Sequence, residues 1–181
     1  MLRVLLTAIA ILSLVGCSES VEVQEVQDSG PGSILSRSVE FSSIAEMAAA
    51  SELVVTARTV EVLTAEDIRR LPLTTTSVLV QQVHKGLGSV TGSTIRVQQI
   101  GRLGQGQQEE SSLLEPGRTY VLFIKHFILE TDPVAPDLYV PVGVQAGVYA
   151  LSGSRFVRTD PESPRLPATF APADLDGLLG N

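Results

Sequence analysis

The chain has 181 residues, which suits one domain of ordinary size together with tails. Apolar residues make up 44% of it, but aromatic residues are only 4% and tryptophan is absent, so the core must be built mainly from Val, Leu, Ile and Ala. Thirteen basic and twenty acidic side chains give a net charge of −7, which argues against a nucleic-acid-binding protein. The single cysteine excludes a disulfide framework and any multi-cysteine metal site.

The first residues of the chain have the form of a secretory signal. Arg3 is the only charge before Cys17, and the apolar run from Val4 to Val15 is interrupted by two hydroxyl side chains alone. Twelve helical residues rise about 18 Å, which is well short of the ~30 Å hydrocarbon core of a bilayer. The segment therefore predicts export rather than a permanent membrane span.

The signal ends in Leu14-Val15-Gly16-Cys17, which resembles the bacterial lipobox at all four positions. The resemblance implies a diacylglyceryl thioether on Cys17 and cleavage between Gly16 and Cys17; a buried or accidental cysteine is the alternative. Two acyl chains anchor a protein stably, whereas one does so only marginally. We therefore expect a lipoprotein of the cell membrane with its domain on the extracytoplasmic side. Ser18 follows the cysteine, where an inner-membrane retention signal usually has Asp. In a Gram-negative host, the outer membrane is therefore an alternative location.

Residues 17–33 are predicted to be a lipidated cysteine and a disordered tether. They carry four acidic side chains and no base, and they end in Gly-Pro-Gly-Ser. Loss of Arg3 with residues 1–16 leaves 12 basic and 20 acidic side chains, a net charge of −8, so charge would repel the mature protein from anionic lipid. The anchor must therefore come from the lipid itself, and residues 34–181 are predicted to form a single β-rich domain.

The first half of this domain predicts one short helix and two strands. Ser43 and Glu46 fit a capping box at a helix start. The β-branched run Leu53–Thr64 predicts a strand, after which the spacing of Thr64 and Asp67 suggests a helical turn ended by Pro72. Thr75–His84 predicts the next strand.

The second half continues with strands and one terminal helix. Ser93–Ile100 alternates between apolar and polar residues, whereas Arg118–Leu129 is apolar at both parities and is predicted to be the central strand. Leu138–Val142 is expected at a sheet edge because Pro141 cannot donate a ladder hydrogen bond. The remaining predictions are a hairpin, Val148–Leu151 with Arg155–Arg158, and a short helix over Ala173–Leu179. The resulting six or seven strands without βαβ alternation predict a small closed or partly open barrel.

Several short motifs carry a resemblance to a known group of domains. The runs SIAEM, SELVVTA, TxSVxV, VxKG, PGxxYVLFI and QAGVY span residues 41–151. Together they resemble bacterial secreted and lipoprotein β-domains whose strand pattern is similar to the OB-like barrel of netrin and metalloproteinase-inhibitor modules. The chain departs from the netrin pattern by lacking its disulfides, and it has Ala57 where the bacterial group often has glycine. The resemblance implies a fold and transfers no active site.

Candidate sites are few, and each has a plain structural interpretation. His84 and His126 with Asp132 or Asp137 offer zinc-ligand types, and the segment Glu130–Asp137 offers oxygens to calcium. Nothing in the sequence fixes the two histidines near each other, so an edge histidine and a barrel-facing histidine are preferred. The segment Glu130–Asp137 lacks the spaced Asp and Gly pattern of known calcium loops. No cofactor, metal or catalytic residue is predicted.

Two glycine-containing segments also favour structural roles. The segment Gly101–Gly106 lacks a phosphate-loop pattern, so it is interpreted as a hairpin loop. Gly153 between two serines predicts a turn rather than the elbow of a hydrolase.

The function predicted from sequence follows from this anchor and from the lack of a catalytic motif. We expect a lipid-anchored, non-enzymatic domain that binds or scaffolds a protein or envelope ligand, with no nucleic-acid partner. An inhibitor or sensor module of netrin-like fold is the alternative, although fold analogy is a weak warrant for function. A hydrolase of unknown class is the third choice.

Overall fold

The computed structural model describes residues 40–68, 71–101, 113–126 and 137–180. Within these ranges the chain is mainly β, with two short helices and two 3₁₀ turns, at Gly88–Val90 and Pro172–Asp174. In chain order the helices and strands are α1 (Ile44–Ala49), β1 (Leu53–Ile68), β2 (Leu71–Lys85), β3 (Thr94–Ile100), β4 (Thr119–His126), β5 (Leu138–Pro141), β6 (Val148–Ser152), β7 (Arg155–Arg158), β8 (Thr169–Phe170) and α2 (Leu175–Leu178).

Five strands close into a barrel in the order β1-β2-β3-β5-β4 and back to β1. Neighbouring strands are antiparallel except β3 and β5, which run parallel. One edge of β4 bonds β1, while its other edge bonds β6 near its start and β5 near its end. Strands β6, β7 and β8 extend the sheet outward. The prediction of a small OB-like barrel is confirmed.

The central strand separates two hydrophobic clusters. Leu122 of β4 lies inside the barrel and Phe123 on the opposite face, and both side chains are fully buried. The barrel interior is largely aliphatic, as the scarcity of aromatic residues required, whereas five aromatic rings gather in the outer cluster with the helices: Phe41, Phe123, Tyr149, Phe156 and Phe170. Because successive side chains of a strand alternate, a segment apolar at both parities must be covered on both faces, which is the arrangement found.

Helix α1 begins where the sequence predicts it. The backbone N–H of Glu46 donates to the Ser43 hydroxyl at 3.1 Å, so Ser43 is the N-cap. The return bond comes from Ser42, whose backbone N–H donates to the Glu46 carboxylate at 2.8 Å. The backbone N–H and the hydroxyl of Ser42 both donate to this carboxylate, and they hold the pKa of Glu46 below its usual value. The buried face of the helix then seals the outer cluster through Ile44, Met47 and Ala48.

The helical turn expected at Thr64–Asp67 is wrong. Strand β1 continues through both residues, and Asp67 lies opposite Pro72 in the register with β2. Here Thr64 faces Thr75 across the pair, and a row of β-branched residues favours strand pairing over the weak local signal of a helix start. Pro72 is tolerated because it lies near the first residue of β2.

The prediction of an edge position for the Pro141 strand is also wrong. Strand β5 lies between β3 and β4 and completes the barrel. Its bonds to β3 involve only Leu138 and Tyr139, while Pro141 is the last residue of the strand and lies opposite Ile124 of β4. A proline at a strand end removes no bond that this short ladder needs.

The VxKG motif holds the end of β2 against α1. The Lys85 ammonium donates to the carbonyl oxygens of Ala48 and Ser51, at 2.5 and 2.7 Å. Gly86 follows with φ +105°, and a Cβ there would lie 2.8 Å from the Glu52 carbonyl oxygen. The lysine adds hydrogen bonds to two carbonyls at the end of α1, and glycine permits the close approach, so this motif is structural.

The predicted lipid anchor lies outside the described residues. Cys17, the signal segment 1–16 and the tether 17–33 all precede residue 40, where the described part begins. Over the residues that the structure describes, none of the helices has the length and apolar character needed to cross a membrane.

Candidate functional site

Two irregularities in the β1–β2 ladder define the candidate site. Val54 lies opposite Lys85 and Val55 opposite Val83, so His84 is an extra residue without a partner in the register. Further along the pair, Thr56 lies opposite Gln82 and Ala57 opposite Val80, so Gln81 is a second extra residue of β2. Such bulges bend a strand and redirect its side chains, and they occur often beside functional sites.

The bulge at His84 places its imidazole between two other polar groups. Its Nε2 lies 2.9 Å from the Thr56 hydroxyl of β1, and its Nδ1 lies 3.1 Å from a carboxylate oxygen of Asp176 in α2. The His84 side chain is only 5% exposed, whereas that of Asp176 is 71% exposed. A hydroxyl, an imidazole and a carboxylate therefore lie in a row that runs from β1 to the C-terminal helix. We call these three residues the His84 relay.

The hydrogen-bonding capacities of these groups fix the tautomer of a neutral His84. An ionised carboxylate only accepts hydrogen bonds, so Nδ1 must carry the proton and donate it to Asp176. The lone pair then lies on Nε2, which accepts the proton of the Thr56 hydroxyl. This is the orientation in which an imidazole acts as a general base towards a hydroxyl.

The relay opens onto a groove of about 410 Å³. Its lining includes the polar side chains of Thr119, Gln81 and Gln82, and also three apolar residues from the sheet extension and the C-terminal segment, namely Leu151, Phe156 and Pro172. A concave surface that combines apolar walls with a few polar groups is the usual character of a ligand site. We call this the His84 groove.

His126 lies in a separate cluster at the end of β4. Its Nδ1 bonds the Glu52 carboxylate, and its ring stacks on Tyr139 with the centroids 4.4 Å apart. The bond to His126 lowers the pKa of Glu52, and burial raises the pKa of the Tyr139 phenol. The imidazole is one-third exposed at the end of β4, and it has the same strand parity as Leu122 and Ile124, whose side chains fill the barrel.

The structure does not bring together the described residues that were considered as metal ligands. His84 bonds Thr56 and Asp176, His126 bonds Glu52, and Asp137 forms a two-point ion pair with Arg96 at 2.7 and 2.8 Å. This ion pair lowers the pKa of Asp137 and raises that of Arg96. Among the described residues, no three histidine, cysteine, aspartate or glutamate side chains gather as a metal site would require. Asp132 and the rest of the segment 130–136 lie outside the described ranges.

The two glycine segments have separate outcomes. Gly153 lies at the turn between β6 and β7 with φ +60°, so the predicted hairpin is confirmed. Of the segment Gly101–Gly106, which is interpreted as a hairpin loop, only Gly101 falls within the described part of the chain.

Sequence reasoning singled out His84 but missed both of its partners. Asp176 is 92 residues away in sequence and Thr56 is 28 residues away, so no local spacing connects the three. The extra residues in β2 left no local signal either, because a bulge depends on the register with the neighbouring strand.

Comparisons with known proteins add no assignment to this site. No protein-family model matches the chain, and no curated protein matches it. The function must therefore be argued from the groove itself.

Proposed function

We propose that this protein is a lipid-anchored extracytoplasmic binding domain and that the His84 groove receives its protein or envelope ligand. The lipobox at Cys17 supports the anchor, and the OB-like barrel supplies a rigid scaffold. The observation that carries the binding role is the groove itself, a concave surface at a doubly bulged strand with both polar and apolar walls.

The composition of the groove suits a mixed polar and apolar ligand. Gln81 and Gln82 are exposed and offer amide donors and acceptors without net charge. Leu151 is half-buried and adds apolar lining, next to the nearly buried Phe156. A peptide segment or an envelope polymer with both kinds of group can satisfy this mixed lining, whereas a polyanion finds no cluster of cations among the described residues that line the groove.

Site-specific crosslinking on intact cells tests this proposal. A photo-reactive amino acid replaces Gln82 in the groove of the full-length lipoprotein, and the same residue replaces Thr91 as a matched control. Thr91 is exposed in the turn before β3 and does not line the groove. We expect a discrete adduct from position 82 only, lost when Gln81→Arg narrows the groove. Equal adducts from both positions, or none from position 82, would contradict the proposal.

A further inference from the structure

We infer that the His84 relay gives the groove an acyl-transfer activity, in which Thr56 is the nucleophile, His84 the general base and Asp176 a positioning residue. This goes beyond the proposed binding role and departs from the expectation of a non-enzymatic domain. The chemical class of the substrate is a carboxylic ester whose acyl group fits the groove.

The geometry already meets the first requirement of this chemistry. A weak hydroxyl nucleophile needs a base within about 2.6–3.2 Å, and that base must be oriented by a third group. The Thr56 hydroxyl lies 2.9 Å from Nε2 of His84, and the Asp176 carboxylate lies 3.1 Å from the other ring nitrogen. The carboxylate also stabilises the imidazolium that forms when the proton moves.

The relay is not needed to hold α2 on the domain. The neighbouring Leu175 is fully buried in the outer cluster, and Leu178 and Leu179 pack against the same cluster. These apolar contacts fix the helix, so the hydrogen bond from an exposed carboxylate adds little to its attachment. The arrangement of the three groups is better explained by chemistry at the Thr56 hydroxyl.

The reaction balances as an ester hydrolysis in two steps. In the first, the oxygen of Thr56 bonds the carbonyl carbon of the ester while its proton passes to Nε2 of His84. The carbon–oxygen bond to the leaving alcohol then breaks, and Nε2 returns the proton to that alcohol. In the second, water attacks the Thr56 ester with the same base, releasing the carboxylic acid and restoring the hydroxyl. The amides of Gln81 and Gln82, on the same groove, are available to donate to the oxygen that becomes negative.

Covalent labelling of the folded chain tests this assignment. A small alkyl fluorophosphonate should lose fluoride and form a phosphorus–oxygen bond to Thr56, located by peptide mass spectrometry. Thr56→Ser should keep the adduct because it keeps the hydroxyl, while Thr56→Val should abolish it. His84→Gln should slow labelling by at least about 100-fold, the usual contribution of a general base. The exposed Thr91→Val is the matched control and should label at the wild-type rate.

Steady-state hydrolysis of p-nitrophenyl acetate tests whether Asp176 orients His84 or only stabilises the fold. Asp176→Asn should lower kcat by at least about tenfold and leave KM within about twofold, because it disturbs the base and not the groove. Asp176→Glu should restore part of the rate. Circular dichroism and melting temperature establish that each variant is folded. An unlabelled folded wild type, an adduct on another residue, or unchanged rates in Thr56→Val would overturn the inference, and the crosslinking result at position 82 would stand regardless.

Discussion

The Nδ1 of His84 and a carboxylate oxygen of Asp176 lie 3.1 Å apart, although 92 residues separate them in the chain. The imidazole is buried and the carboxylate is exposed. The pair joins the bulged end of β2 to the last helix of the described chain, and it fixes which ring nitrogen faces Thr56. The contribution of this hydrogen bond to the free energy of unfolding distinguishes a structural role in holding α2 from a role in the site.

We expect Asp176→Asn to lower the free energy of unfolding by less than about 1 kcal/mol, because the carboxylate is well exposed to solvent. Leu175→Ala, one residue earlier, should cost about 2–5 kcal/mol because that side chain is fully buried. Urea unfolding of the two variants measures both values. If Asp176→Asn lowered the free energy of unfolding as much as Leu175→Ala does, the His84–Asp176 pair would be mainly a structural contact that holds α2 on the domain.

The two faces of β4 should respond alike to truncation. Leu122 fills the barrel and Phe123 fills the outer cluster, and neither is exposed. We expect Leu122→Ala to cost about 2–5 kcal/mol and Phe123→Ala about 3–5 kcal/mol, out of a total of about 5–15 kcal/mol for a typical domain. Thr91→Ala on the surface should stay within ~0.5 kcal/mol of wild type. Denaturant unfolding of the three variants measures these free energies. A change near zero at either core position would show that this face of β4 is exposed to solvent.

Glycine substitutions separate backbone conformation from close packing. Gly86 and Gly92 both have positive φ, at +105° and +79°, but only a Cβ on Gly86 meets a neighbour, the Glu52 carbonyl oxygen. Gly92→Ala should therefore cost about 1–2 kcal/mol for its conformation alone, and Gly86→Ala should cost clearly more. Gly88→Ala, with ordinary φ and open space, serves as the baseline. In thermal melts, the loss of stability should be largest for Gly86→Ala, smaller for Gly92→Ala and smallest for Gly88→Ala. Equal losses at Gly86 and Gly92 would show that the backbone at the end of β2 moves to accommodate the added Cβ.

The ion pair between Arg96 and Asp137 should make stability depend on acid. Its hydrogen bonds hold the pKa of Asp137 below the value of about 3.9 that an unfolded chain has. A carboxyl with a lowered folded pKa contributes stability above the unfolded pKa and loses it as the pH falls through the folded one. Asp137→Asn should thus be less stable than wild type near pH 6, and the difference should vanish as the pH falls below the lowered folded-state pKa of Asp137.

The expected loss at Asp137 is at most about 1 kcal/mol, because both side chains are roughly 40% exposed, at 39% and 46%. Unfolding free energies across this pH range measure the effect. In an Arg96→Gln background, Asp137→Asn should lose its pH-dependent effect. Persistence of that effect without Arg96 would assign it to another partner.

Cys17 is the residue that the predicted lipid would modify. A fatty-acid analogue fed to cells should label the wild-type protein and not Cys17→Ala, which should also leave the membrane fraction. Cys17→Ser, which keeps the size but not the thiol, should behave like the alanine variant. Equal labelling of wild type and variants would refute lipidation at this position.

Composition and periodicity determined the fold class of this protein. Runs of β-branched residues mark most of the strands, and a segment apolar at both parities identified β4 as central, because burial on two faces leaves a direct trace in sequence. The Ser43 cap was equally readable, since its partners lie within four residues. Where local signals misled, at Thr64–Asp67 and Pro141, pairing with a distant strand outweighed them.

Tertiary structure alone decided the site. A bulge exists only relative to a partner strand, so the sequence of β2 could not show that His84 and Gln81 are the extra residues. The same closure of the barrel and packing of Leu175 bring Thr56 and Asp176 to the two nitrogens of one imidazole. Burial of a strand face requires apolar residues at regular spacing, and that spacing is visible in a single sequence. Hydrogen bonds between distant residues depend on strand register and on barrel closure, which exist only in the folded chain.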